Sequence, residues 1–139
     1  MEIRRYTEDE EQLVHDICYG CGSAMSKRMY AYIRTARWYA KKSKSISFVG
    51  YVFGYVGFYC GLLMARDFRL IAFAVLEEHQ GKGIGKAMLE HLKAMAAGHG
   101  AQRIVFKTES GSAAFAWWIK RGACPVRAVG GEVEMEVRL

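Results

Sequence analysis

One proline, Pro125, stands in a chain of 139 residues, and no serine- or proline-rich tract breaks it up. That scarcity excludes a long flexible linker or a disordered arm. The chain is too short for a second catalytic domain. With 52% apolar residues it suits one core, so residues 1–139 are read as a single domain. No internal repeat is present. Met1-Glu2-Ile3-Arg4-Arg5-Tyr6 lacks the apolar segment of a signal peptide, and a cytoplasmic, reducing location is therefore expected.

Cysteine is sparse and poorly spaced for metal. Cys18 and Cys21 form a C-x-x-C pair with His15 upstream, but Cys60 and Cys124 stand alone, and structural zinc usually shows a second close pair. The pair also falls at a helix end rather than just after a strand, which argues against a redox dithiol. We expect buried thiols, no metal and no redox role. Charge is missing altogether from Ile46 to Ala65, a run of 20 residues that is long enough to span a bilayer. Gly50, Gly54, Gly57 and Gly61 even give the small-x-x-x-small spacing of packed membrane helices. The run is nonetheless rich in Tyr, Phe and Val, and four glycines weaken a helix. Two strands joined by a tight turn are expected, and no membrane partner.

What the chain does carry is a strand, a glycine-rich turn and a helix in immediate succession. Leu70-Ile71-Ala72-Phe73-Ala74-Val75-Leu76 is uncharged and β-rich, and Ile84, Met88, Leu92 and Met95 recur at helical spacing. Between them lies Glu77-Glu78-His79-Gln80-Gly81-Lys82-Gly83-Ile84-Gly85-Lys86. A helix beginning near Gly83 leaves its first N–H groups without intrahelical partners and places partial positive charge there, so an anion is favoured. Glycines at 81, 83 and 85 let a pyrophosphate approach the backbone, and Lys82 and Lys86 add charge. The dinucleotide fingerprint fails because its third glycine would fall on Lys86. The triphosphate loop fails because Ala87 lacks the hydroxyl for magnesium.

The pattern Q-x-x-G-x-G at Gln80, Gly83 and Gly85, with Phe73-Ala74-Val75 before it, resembles the acetyl-CoA signature of the GNAT superfamily of N-acetyltransferases. A strand at Arg103–Thr108 and a helix from Ser112 to Gly122 continue the family's order. The resemblance implies an α/β domain with a mixed, α+β-type sheet of about seven strands and about four helices. In that fold two parallel strands, here at Leu70 and Arg103, splay to form an acyl-CoA cleft. It further implies that Phe73, Ala74 and Val75 meet the pantetheine, that Gln80 to Lys86 (Gln80, Gly81, Lys82, Gly83, Ile84, Gly85, Lys86) hold the pyrophosphate, and that an N–H near Phe73 or Val75 steadies the oxyanion.

The rest of the expected order is an edge strand at 2–6, a helix from Thr7 to about Tyr19 opened by a Thr7–Glu10 capping box, and a helix over 23–42 with Met25, Met29, Ile33 and Ala36 inward. Strands follow near 46–52, 55–65 and 69–76, then a helix over 83–98. A strand at 103–108, a helix over 111–121 and a hairpin of 126–129 with 132–139 across Gly130-Gly131 complete the chain.

The resemblance implies transfer of an acetyl group from acetyl-CoA to a primary amine by direct attack in a ternary complex. The catalytic groups depart from the family. Trp118 stands where a tyrosine commonly protonates the thiolate, Arg69 where a carboxylate often serves as base, Gly111 where an asparagine is common, and Ala123 where an aromatic follows Gly122. Asp67, Glu77, Glu78, His79 and Glu109 remain as unranked bases, so the catalytic residues are left unknown. A non-catalytic acyl-CoA-binding module of the same fold is the alternative, and a basic nucleic-acid-binding protein the third reading.

Residues 22–44 hold Lys27, Arg28, Arg34, Arg37, Lys41, Lys42 and Lys44 with no acid, interleaved with Tyr30, Tyr32, Trp38 and Tyr39, in a chain of net charge +6. In the family this region lines the acceptor groove, which would favour an amine that also bears an acidic group. The region could equally touch the adenosine phosphates, and the same pattern suits nucleic acid or an anionic membrane surface. The sequence reading nevertheless expects neither nucleic acid nor membrane as partner, and leaves room for a homo-oligomer through the C-terminal edge strand.

Overall fold

The computed structural model describes residues 1–23 and 26–139. A seven-stranded mixed sheet, in the order β1-β2-β3-β4-β5-β7-β6, carries four α-helices. Its elements are β1 (Ile3–Arg5), α1 (Glu11–Gly20), α2 (Ser26–Lys42), β2 (Ser47–Phe53), β3 (Gly57–Leu63) and β4 (Asp67–Val75). There follow α3 (Ile84–Gly98), β5 (Arg103–Glu109), α4 (Ala113–Lys120), β6 (Cys124–Val129) and β7 (Glu132–Arg138). Among the described residues only β4 and β5 run parallel.

The two faces of the sheet have separate cores. On one, Met88, Leu89, Leu92 and Met95 of α3 and Trp118 of α4 pack on Tyr59, Phe68, Leu70, Ile104 and Phe106. On the other, Val14 and Ile17 of α1 and Ile33 of α2 pack on Val52, Phe58, Ala72 and Ala74. β4 thus feeds both faces, its side-chain parity switching at the irregularity where Cys60 pairs with Ala72 but Gly61 with Leu70, which is why Leu70 to Val75 reads as an unbroken apolar run.

The uncharged run is the β2–β3 hairpin, and among the described residues no helix is long and apolar enough to cross a membrane. Its glycines, which mimic a helix-packing motif, answer to strand geometry. Gly54 turns the hairpin at φ +55°. A Cβ on Gly50 would lie 2.8 Å from the Cβ of Cys60, and one on Gly57 2.8 Å from the Met88 sulfur. At Gly61 it would overlap the Arg69 carbonyl oxygen, where the β3–β4 register shifts between Cys60 and Gly61.

Two local expectations are corrected. The Thr7–Glu10 capping box does not form: Thr7 accepts the Glu10 N–H through its backbone oxygen at 3.0 Å, and a single 3-10 turn, Glu8–Glu10, precedes α1. Arg4 takes the Glu10 carboxylate instead, its Nε donating at 2.6 Å. β6 begins at Cys124, two residues before the expected 126, because it pairs with β7 through Cys124–Glu136. The expected start of the second helix and the inward Met25 involve residues 24–25, outside the described residues.

Glu11 joins the N-terminal segment to α2. Its carboxylate accepts from Tyr6 Oη at 2.7 Å, Tyr30 Oη at 2.9 Å and Arg37 Nη1 at 2.7 Å. Burial pushes this carboxyl up, but the hydrogen bonds from Arg37, Tyr6 and Tyr30 outweigh it and hold the group below its ordinary value.

Two expectations follow. Gly61→Ala should lower the unfolding free energy by about 1–3 kcal/mol or more in urea titration, because backbone rather than a flexible tip blocks the new methyl. A depressed carboxylate contributes stability above its unfolded value of about 4.3, lost as pH falls through the folded value. Glu11→Gln should therefore flatten the acid limb of stability against pH below about 5, and cost about 1–3 kcal/mol at neutral pH.

Candidate functional site

The site begins where a ladder stops. β4 and β5 pair only through Asp67–Arg103, Phe68–Ile104 and Arg69–Val105, yet both strands continue, to Val75 and Glu109. Each is held on its outer side, β4 by β3 as far as Gly57–Val75 and β5 by β7 as far as Glu109–Glu132. A gap therefore opens between two fixed strands. Its polarity follows from the neighbouring bonds: Leu76 N–H donates to Val56 O at 2.8 Å, so Leu76 and Ala74 face β3. By alternation the N–H and C=O groups of Phe73 and Val75 face the gap. On β5, Ser110 N–H donates to Gly131 O at 2.9 Å, which turns the backbone groups of Lys107 and Glu109 toward it.

Beyond Val75 one 3-10 turn, Glu77–His79, leads into the glycine loop. Gly81 and Gly83 adopt φ of +76° and +86°, and a Cβ on either would meet nothing within 4 Å. Glycine is needed there for backbone angle, and the space beside it is open. Gly85 differs: its Cβ would lie 3.1 Å from the Trp117 ring, so close packing is what it permits. Gly83 caps α3 without any side-chain hydrogen bond, which leaves the leading N–H groups at Ile84, Gly85 and Lys86 for solvent or an anion. Lys82 and Lys86 are exposed beside them.

Gln80 turns inward. Its Nε2 donates to the Cys21 carbonyl at 2.8 Å and to the Val75 carbonyl at 2.9 Å. The side chain thus ties the end of β4 to the segment after α1 and satisfies one of the gap-facing carbonyls.

α4 forms the far wall. Ser112 caps it, accepting from Phe115 N–H at 3.1 Å. Trp118 is buried, its ring centroid 4.4 Å from Phe106, 5.0 Å from Phe73 and 4.9 Å from Trp117. Its indole is part of the core. Phe73 therefore sends its side chain into this aromatic cluster while its backbone faces the gap. Sequence reasoning missed Trp117 and Arg121: the Arg121 guanidinium lies 4.0 Å over the Trp117 ring, and its Nη1 donates to Trp117 O at 3.2 Å. No spacing rule links a tryptophan on α4 to a glycine on α3; only packing does.

The candidate bases separate by place. Asp67 sits at the opposite end of β4 from Val75, about 26 Å along a nine-residue strand, and is held by Arg103 Nε at 2.9 Å. Glu77 and Glu78 line an open groove of about 440 Å³ with Gly20 and Leu76. His79 follows them, its Nε2 3.9 Å from a Glu78 oxygen, and Glu109 ends β5 at the gap. The thiols lie elsewhere: Cys18 and Cys60 are buried in the α1–α2 core, and burial pushes Cys18 up to about 12 and Cys60 well above the ordinary thiol value. Among the described residues no group of three or more His, Cys, Asp or Glu is placed to hold a metal.

Splayed parallel strands ending at an uncapped, glycine-rich helix start define a class of mixed α/β domain. The family model described as acetyltransferase (GNAT) family matches residues 10–122, and the chain belongs to that family. Solved structures agree in fold. The PaiA N-acetyltransferase of Thermoplasma acidophilum in complex with coenzyme A is 17% identical, with 99% of this chain and 98% of that one covered at a TM-score of 0.78. The ribosomal-protein-S18-alanine N-acetyltransferase of Escherichia coli is 15% identical, covered at 99% and 92% with a TM-score of 0.72. An aminoglycoside 6′-N-acetyltransferase complexed with coenzyme A is 12% identical, covered at 99% and 97% with a TM-score of 0.72. No curated protein matches by sequence.

Gln80→Ala removes one donor from each of the Cys21 and Val75 carbonyls. It should lower the unfolding free energy by about 1–3 kcal/mol and speed amide exchange around residues 19–23 and 75–80. A variant as stable as the parent would remove the tethering role.

Proposed function

We propose that the protein is an acetyl-CoA-dependent N-acetyltransferase that acetylates a primary amine by direct attack in a ternary complex. The observation that carries this reading is the gap between β4 and β5, where the Phe73 N–H and C=O and the Val75 N–H have no partner among the described residues and lead straight to an uncapped helix start. Pantetheine amides complement such an edge as a further strand would, while the pyrophosphate takes the N–H groups at Ile84 to Lys86 beside Lys82. The thioester then lies at the end of the pairing. When the amine nitrogen attacks the acetyl carbon, the carbonyl oxygen gains charge that the Val75 or Phe73 N–H accommodates; the nitrogen passes its second proton to water as collapse breaks the C–S bond and expels the CoA thiolate.

Proton handling falls to groups at the cleft mouth. The amine, with an ordinary value of about 10.4, must lose a proton before attack, and of the candidate bases we put forward Glu77 and Glu78, which line a groove beside Gly20 just past the end of β4. Trp118 transfers no proton, and a thiolate of ordinary value near 8.5 takes one from water. The acceptor is a primary amine of open identity. An acidic group on it would be met by Arg69 or Lys107, which are exposed on the two strands of the cleft, rather than by α2, whose basic side chains face outward except for Arg37, bound to Glu11. A cytoplasmic setting suits the buried cysteines, none of which forms a disulfide among the described residues. The alternative, a non-catalytic acyl-CoA-binding module, draws on the same cleft and on the missing tyrosine and carboxylate.

Thermal melting with and without excess acetyl-CoA, with thiol release followed across a panel of amines, separates the two. A ligand at 100 times its Kd adds about 2.7 kcal/mol, a rise of several degrees. Stabilisation with amine-dependent thiol release establishes the enzyme; stabilisation alone leaves the binding module. Gly83→Asn is the matched variant, because asparagine tolerates positive φ and its side chain would project into the open space beside the loop. Acetyl-CoA affinity should fall at least about tenfold, or 1.4 kcal/mol, with little change in melting. Unchanged affinity would overturn the loop's assignment.

A further inference from the structure

The outer face of α2 is a surface that the acetyl-transfer reading does not use. Ile33 and Ala36 are buried, and Arg37 is turned to Glu11, whereas Lys27, Arg28, Arg34, Lys41 and Lys42 are exposed. None of these five has an ion-pair partner among the described residues, and no acidic residue occurs between Asp16 and Asp67 to supply one. The same face exposes three large aromatics, Tyr32 at 50%, Trp38 at 58% and Tyr39 at 56%. Helical spacing sets them in register with the charges. Lys27, Arg34, Trp38 and Lys41 fall along one flank of this face, and Arg28, Tyr32 and Tyr39 along the other, about 130° further round, on a 17-residue helix about 26 Å long. Lys42 Nζ lies 4.8 Å over the Trp38 ring, so that ring is a flat platform backed by a cation. At the helix end an open groove of about 550 Å³ continues the surface, with Lys41 and Ser43 on one side, Arg5 on the other and Glu8 at its rim.

We propose that this face docks a single-stranded nucleic acid, with phosphates on the Lys and Arg side chains and bases stacked on Trp38, Tyr39 and Tyr32. Two features select that partner. Unneutralised positive charge along about 26 Å calls for a polyanion, since a single carboxylate or phosphate would meet only one or two of these groups. Flat, half-exposed rings interleaved with the charges match unpaired bases, whose π-faces are buried inside a duplex. An anionic bilayer would ask for an aliphatic stripe outward, and α2 keeps its aliphatic residues Ile33 and Ala36 in the core. The sequence balance alone led to no nucleic acid being expected. Exposure changes the weighing, because it separates the basic aromatic face from the core-facing side that sequence spacing runs together.

The test is fluorescence anisotropy of the full chain with a labelled oligouridylate of about 12 nucleotides, at salt from about 50 to 200 mM. Binding should weaken steeply with salt. Trp38→Ala should weaken it about fivefold to hundredfold, and Lys41→Glu with Lys42→Glu at least tenfold with a shallower salt slope. All of these side chains are exposed, so circular dichroism, melting and acetyl-CoA affinity should match the parent. No binding, binding insensitive to these variants, equal binding to duplex of the same length, or preference for phosphatidylserine vesicles would each overturn the proposal. Because acetyl-CoA affinity is read in parallel on the same variants, failure here is distinguishable from failure of the acetyltransferase reading.

Discussion

Backbone hydrogen bonding between β4 and β5 is the constraint on which the site depends. Strands that stayed paired to their ends would leave no edge for a substrate, and strands that never paired would not hold a fixed width. Here three residue pairs at Asp67, Phe68 and Arg69 pin one end, while β3 and β7 hold each strand from outside. The opening is therefore rigid although its facing groups have no partner across it. Backbone groups without a partner across a gap favour an extended group that can pair with them, the role the proposed function gives to pantetheine.

Around that opening, side chains divide between holding and facing. Gln80 holds: it ties the Val75 carbonyl to the segment after α1, so the end of the strand and the groove wall move together. Phe73 does both, with its ring among Trp117 and Trp118 and its backbone toward the gap. Glu11 stabilises the opposite face by gathering Tyr6, Tyr30 and Arg37, a hub whose charge is compensated locally and takes no part in the cleft.

Much of the fold was legible because its signals are local. The period-two and period-3.6 patterns, the glycines at 98, 100 and 122, and the uncharged hairpin each report on a few neighbouring residues, and the element order follows. Where expectation failed, a partner outside the local motif had intervened. Thr7 and Glu10 have the letters of a capping box, but Arg4 competes for the Glu10 carboxylate and wins with a charged hydrogen bond at 2.6 Å. β6 starts early because pairing with Glu136, far along the chain, outweighs the local disfavour of Pro125.

The sequence by itself determined the glycine-rich start of α3, the apolar strand before it and the run of basic and aromatic residues after Gly22, since each rests on residue type and short spacing. Only the tertiary structure decided what these face. That Gly83 opens to free space while Gly85 abuts Trp117, that Gln80 turns inward, and that α2 presents its charges outward all depend on which strands and helices come to lie side by side. The physical reason is that backbone angle and side-chain type are local properties, whereas burial and partner are set by packing between segments distant in sequence.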